Sequence, residues 1–125
     1  MTQTAVSPVT AVFTRTRDTG WVDVCRYDQL LPERGVAALM SGQQVAVFRL
    51  VDGDVVALAN RDPFSDANVM SRGIVGSRGD RATVASPMYK QVFDLRTGAC
   101  LDDPEVLVPT YDVRVERGMV QVCSP

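Results

Sequence analysis

Histidine is absent from all 125 residues, and that one gap removes a large part of enzyme chemistry. Ser-His and Cys-His arrangements need an imidazole as general base, so neither can be assembled here. There is no G-x-G-x-x-G or G-K-S/T segment, hence no phosphate-cradling loop of the usual kinds. No apolar run approaches the length that spans a bilayer. The first residues, Met1 to Pro8, have neither a basic start nor a long apolar stretch, which argues against a secretory signal. Cysteine is scarce: Cys25, Cys100 and Cys123 lie too far apart for a C-x-x-C zinc or redox pair, and an odd number argues against a disulfide framework. Each is read as a small, buried, reduced side chain, and the compartment as cytoplasm. A net charge of −2 and a pI near 5.0 give no support for nucleic acid or an anionic membrane as partner.

What is present suits one soluble domain. Apolar residues make up 46% and charged residues 22%, ordinary for a globular chain. At this length roughly two-thirds of the unfolded surface can be buried without staples. Residues 60–98 hold six basic groups (Arg61, Arg72, Arg78, Arg81, Lys90, Arg96) against four acidic ones (Asp62, Asp66, Asp80, Asp94). That lobe is mildly positive; a solvated mixed-charge face and a dock for an acidic surface both fit it.

The texture predicts an all-β fold. Residues 1–18 read as an extended or partly disordered arm, and residues 19–125 as the domain. Trp21 to Cys25 alternates apolar and polar, as a half-buried strand should. Tyr27 to Gly35 reads as a loop with one helical turn. Val36–Met40 and Gln44–Leu50 follow as strands around Ser41-Gly42, the second apolar on both faces and therefore expected to be buried on both. Asp52-Gly53 signals a two-residue hairpin into Val55–Leu58. Gly73, Gly76 and Gly79 mark a flexible connection, and strands are expected at Arg81–Ala85 and Gln91–Leu95, the latter turning at Thr97-Gly98. A hairpin closes the chain, Tyr111, Val113 and Val115 alternating with polar residues before the turn at Arg117-Gly118. The acidic run Asp102-Asp103-Pro104-Glu105 reads as an exposed turn, its carboxylates being neighbours in sequence and not convergent ligands.

Two segments carry the most information: Asp62-Pro63-Phe64-Ser65-Asp66-Ala67-Asn68, and Ser86-Pro87-Met88-Tyr89-Lys90-Gln91-Val92-Phe93-Asp94-Leu95. They resemble the cluster-binding loops of Rieske proteins, C-P-H-x-G-A-P-L and C-P-x-H-G-x-x-F-D-L. The resemblance implies an antiparallel β-sandwich or barrel with a smaller loop-rich subdomain, about residues 60–98, at the former cluster tip. A Rieske centre takes two thiolates on one iron and two imidazoles on the other. Asp62 and Ser86 stand at the cysteine positions, and Phe64 and Tyr89 at the histidine positions. The cluster is therefore expected to be absent. Asp62 and Tyr89 are hard donors without an obvious third oxygen, so no replacement metal is expected. Phe64 and Tyr89 are expected to fill the vacated space, with Asp62 as a partner for the Tyr89 hydroxyl. Ser86 beside Lys90 has a nucleophile–base flavour, but nothing in the sequence secures the geometry that pair needs.

A ligand-free Rieske-like chain of this kind is similar to the small subunits of cytoplasmic NAD(P)H-dependent nitrite reductase, over roughly residues 20–123. Three stretches carry the likeness: Ala59 to Gly76, Ser86 to Gln91, and Phe93 to Pro104. The resemblance implies no catalytic residue and no cofactor in this chain. It also implies a large partner subunit bearing FAD, iron–sulfur and sirohaem groups that reduces nitrite to ammonium with NAD(P)H. Phe64, Met70, Met88, Tyr89 and Lys90 are the candidate contacts with that partner. Packing between the two loops is the competing role for the apolar ones, and for Phe64 the preferred one. The alternative function is a free-standing Rieske-like β module that binds or regulates without a redox role.

Overall fold

The computed structural model describes residues 20–123 in full and the backbone of residues 15–16; the remainder of the expected arm lies outside the described residues. β-branched and small apolar stretches separated by glycine turns form eleven strands among the described residues. These are β1 (Arg15–Thr16), β2 (Trp21–Arg26), β3 (Gly35–Met40), β4 (Gln43–Arg49), β5 (Val55–Ala59), β6 (Ile74–Arg78), β7 (Arg81–Ala85), β8 (Val92–Asp94), β9 (Thr110–Tyr111), β10 (Val113–Glu116) and β11 (Met119–Cys123). Two 3-10 turns, Tyr27–Gln29 and Met70–Arg72, interrupt them; the first is the helical turn expected after Tyr27.

All strand pairs are antiparallel and fall into three sheets, ordered β1-β2-β11-β10, β3-β4-β5-β9 and β6-β7-β8. The β3-β4-β5-β9 sheet is the middle layer. Alternation along β4 explains why its sequence is apolar without a break: Val45 and Val47 join one core and Ala46 and Phe48 the other, all fully buried. The first core meets Val22, Val24, Val120 and Val122 of the β1-β2-β11-β10 sheet. The second meets Met70, Val84, Phe93, Leu95, Cys100 and Val108, so it fastens the β6-β7-β8 lobe to the body.

Three local expectations need correction. Asp23 does not face water: Val22 to Cys25 are all buried. Gln121 Nε2 donates to Asp23 Oδ1 at 2.7 Å, Arg114 Nε donates to Gln121 Oε1 at 2.7 Å, and the Arg114 guanidinium lies 4.4 Å from the Trp21 ring centre. The β4–β5 connection is longer than two residues. The amides of Gly53 and Leu50 donate to the carbonyls of Leu50 and Asp54, leaving a three-residue loop with Gly53 at φ 94°. Finally, Ile74–Arg78 is a strand, paired with β7 from Ile74↔Ala85 to Arg78↔Arg81. Its one glycine, Gly76, pairs with Thr83 of β7 and does not break the ladder, and Gly79-Asp80 makes the turn.

Candidate functional site

The two loops singled out in the sequence lie side by side beyond the second core, and their backbones are built alike. In the first, the Asp62 amide donates to the Ala67 carbonyl (2.8 Å) and the Asp66 amide to the Asp62 carbonyl (2.7 Å). In the second, the Ser86 amide donates to the Gln91 carbonyl (2.9 Å) and the Lys90 amide to the Ser86 carbonyl (2.9 Å). The fifth residue of each loop is left-handed, Asp66 at φ 64° and Lys90 at φ 65°. Both stand where the resembling motifs have glycine. Aspartate tolerates that region, whereas lysine costs roughly 1–2 kcal/mol there. Lys90→Gly is therefore expected to raise stability by about 1 kcal/mol, read as a higher urea midpoint with an unchanged slope.

The side chains at the loop starts complete the arrangement. Asp62 Oδ1 accepts from the Phe64 amide at 2.8 Å, and Ser86 Oγ accepts from the Met88 amide at 3.3 Å, an Asx and a Ser turn respectively. The Ser86 hydroxyl donates across the loops to Asp62 Oδ2. Both residues are sealed, at 0% and 1% exposure. Asn60, which the sequence reading passed over, ties this construction to the body. Its Nδ2 donates to Gln44 Oε1 (2.9 Å), and its Oδ1 accepts from the Ser71 amide (2.7 Å). A lone Asn at the end of a strand gives no sequence signal for that.

The four ligand positions do not fit a Rieske cluster. Two thiolates and two imidazoles are required. Phe64 has no donor atom, and the oxygens of Asp62 and Ser86 are engaged with each other and with loop amides. Among the described residues, no group of three or more Cys, Asp or Glu converges as a metal site. Phe64 is half-buried against the second core, its ring centre 6.2 Å from that of Phe93. Tyr89 is a correction. It is 60% exposed and fills no space, and the hydroxyl that meets the sealed Asp62 carboxylate is that of Ser86. Met70 is a second correction: fully buried in the second core, it is not a contact residue. Met88 (47% exposed), Tyr89 and Lys90 stand outward together in the second loop.

Charges around the tip are mostly neutralised within the chain. Arg61 pairs with Asp66, Arg78 with Asp102, Arg81 with Asp94, and Arg96 with both Asp52 and Asp54. Among the described residues of the lobe, Lys90 and Arg72 make no ion pair and neither does the exposed Asp80, and of these three Lys90 is the charge carried by the second loop. Asp102 also accepts from the Val92 amide at 2.8 Å, which makes it more than a passive member of an acidic turn.

Away from the tip, Cys25 and Cys100 are free thiols and buried, and Cys123 is half-buried. Burial pushes the Cys25 thiol up to about 12 from 9.0. The folded state therefore favours the neutral thiol. Its contribution is full below pH 9 and is lost as pH rises towards 12, at up to about 1.4 kcal/mol per pH unit. Cys25→Ala is expected to flatten the alkaline limb of a stability–pH curve. Iodoacetamide at pH 8 should leave Cys25 unmodified until denaturant is added, as read by mass spectrometry.

Two matched loops capping a layered antiparallel body define a Rieske-type domain, and residues 20–123 match the family described as Rieske-like [2Fe-2S] domain. The chain belongs, more narrowly, to the family of nitrite reductase (NADH) small subunits. It is 44% identical over 103 residues to the one from Escherichia coli K12, spanning 82% of this chain and 95% of that relative. A crystal structure from Mycobacterium tuberculosis, provisionally named an NADH-dependent nitrite reductase small subunit, superposes with a TM-score of 0.79 at 59% identity, covering 82% of this chain and 92% of that one. The chain is also 41% identical over 102 residues to a nitrite reductase [NAD(P)H] large subunit from Klebsiella oxytoca, covering 82% of this chain but 11% of that one.

Proposed function

We propose that this chain acts in the cytoplasm as the small subunit of an NAD(P)H-dependent nitrite reductase and carries no electrons itself. Its partner is a large subunit bearing FAD, iron–sulfur and sirohaem groups, which reduces nitrite to ammonium. The observation that carries the reading is the tip. A frame of this family has its four ligand positions filled by Asp62, Phe64, Ser86 and Tyr89, with two of them bonded to each other. What such a frame can offer is contact, and Met88, Tyr89 and Lys90 form its outward face. Methionine and tyrosine supply adaptable and rigid contact area respectively, and an unpaired ammonium favours an acidic rim on the partner. The Klebsiella large subunit supports the pairing, because a module like this one is built into the same polypeptide there.

The test is co-expression with the large subunit, followed by purification and an NAD(P)H–nitrite assay. A stable complex with more activity than the large subunit alone is expected, and the small chain purified by itself should be colourless and free of iron. Equal activity with and without this chain would remove the subunit role. A brown preparation holding stoichiometric iron would overturn the absence of a cluster. Within the complex, Lys90→Gly should weaken association by about tenfold while raising the stability of the free chain, since a desolvated charge contact is worth about 1.4 kcal/mol or more.

A further inference from the structure

The loop that carries Met88, Tyr89 and Lys90 closes the β7–β8 hairpin beyond the pair Ala85↔Val92, and past that pair it is held by its own turn. Its backbone bonds, Ser86 to Gln91 and Lys90 to Ser86, lie within the loop and fix its shape but not its position relative to the first loop. Among the described residues, the one hydrogen bond that joins the two loops directly is that from the Ser86 hydroxyl to Asp62. It is a charge-assisted bond sealed from water, the setting in which such bonds are strongest and most costly to break. It also sits at a lever point. Ser86 Oγ accepts the amide of Met88, so the chain of bonds runs from the Asp62 carboxylate through the Ser86 hydroxyl to the backbone of the exposed segment. At the other end, Asp62 Oδ1 accepts the amide of Phe64, whose ring is seated on the second core beside Phe93. A buried, core-anchored carboxylate thus grips the root of an exposed loop.

We infer that Asp62 and Ser86 are a pair of positioning residues: their shared hydrogen bond sets the pose in which Met88, Tyr89 and Lys90 meet the large subunit. The pairing with that subunit rests on the proposed function above; the clamp itself does not. Neither side chain reaches the surface, so neither touches the partner, and any effect on association must pass through the loop. The two residues are also interchangeable in principle. Each accepts the amide two residues ahead of it, a task that aspartate and serine both perform. Exchanging them restores one carboxylate facing one hydroxyl with the donor and acceptor ends reversed.

The experiment compares the parent chain with S86A, D62S and the exchanged double variant D62S/S86D; S86C, a near-isosteric weak donor, stands in if S86A fails to fold. Two readouts are taken on each folded chain: the rate of limited tryptic cleavage after Lys90, followed by mass spectrometry, and the dissociation constant for the purified large subunit. Each single variant should cleave after Lys90 about tenfold faster and bind about tenfold more weakly, the scale set by stranding one buried polar group. The exchanged variant should return both readouts to within about threefold of the parent. Parental cleavage and parental affinity in the single variants would overturn the inference. So would faster cleavage with unchanged affinity, or a folded D62S/S86D chain that recovers neither property. If the parent chain itself does not bind the large subunit, the subunit reading falls and the positioning role falls with it. If the parent binds and S86A binds equally well, the positioning role alone is lost.

Discussion

Phe93→Ala is expected to lower the unfolding free energy by about 3–5 kcal/mol, the range for deleting a fully buried phenylalanine. Its ring is completely buried, in the middle of β8 opposite Val84 of β7, with Phe64 against it and Cys100 bridged beside it. It therefore lies where the loops, the β6-β7-β8 sheet and the middle sheet converge, and little around it can collapse into the space without moving a strand. Since a domain of this size has about 5–15 kcal/mol in all, the variant is expected to be marginal at 37 °C. Urea denaturation should show the midpoint falling with an unchanged slope. A loss below about 1 kcal/mol would mean that the second core is not packed as described.

Gly98→Ala is expected to cost about 2–5 kcal/mol, for two separate reasons that add. Gly98 has φ 79°, where a side chain costs about 1–2 kcal/mol. A Cβ at that position would also lie 2.0 Å from the Val108 carbonyl oxygen, and overpacking against backbone costs about 1–3 kcal/mol more. The backbone cannot simply retreat, because the Gly98 amide donates to the Asp94 carbonyl and its own carbonyl accepts from Val108, both at 2.8 Å. Gly118→Ala is the internal control. It has the same φ of 79° but open space around it, so only the conformational part, about 1–2 kcal/mol, applies. Equal thermal shifts for the two variants would sink the steric half of the argument.

The strand layout was legible because alternation and turn residues are local properties. The closing hairpin, the doubly buried β4 and the loop-strand order around Ser86 all follow from runs of a few residues. The sequence misled where a local signal met a tertiary partner. Glycines at 73, 76 and 79 look like punctuation, yet two of them flank Ile74 and Val75 in a strand held by β7. Asp23 looks solvent-facing until Gln121, nearly a hundred residues on, covers it. At the tip, the loss of cluster donors could be read from residue identity alone. Which replacement would face which could not: Tyr89 was the natural partner for Asp62 on paper, and Ser86 took that place in space. Met70 fails as a contact for the same reason, since its burial is decided by Phe93, Leu58 and Val84 from distant stretches.

The two cores share a wall. Because Val45 and Val47 serve one side of β4 while Ala46 and Phe48 serve the other, the lobe that bears the loops cannot melt away and leave the sandwich intact. Thermal scans that follow Trp21 fluorescence on one side and the circular dichroism of all three sheets together should report a single coincident transition. A chimera that transplants the loops into a foreign host would have to bring this strand along with them.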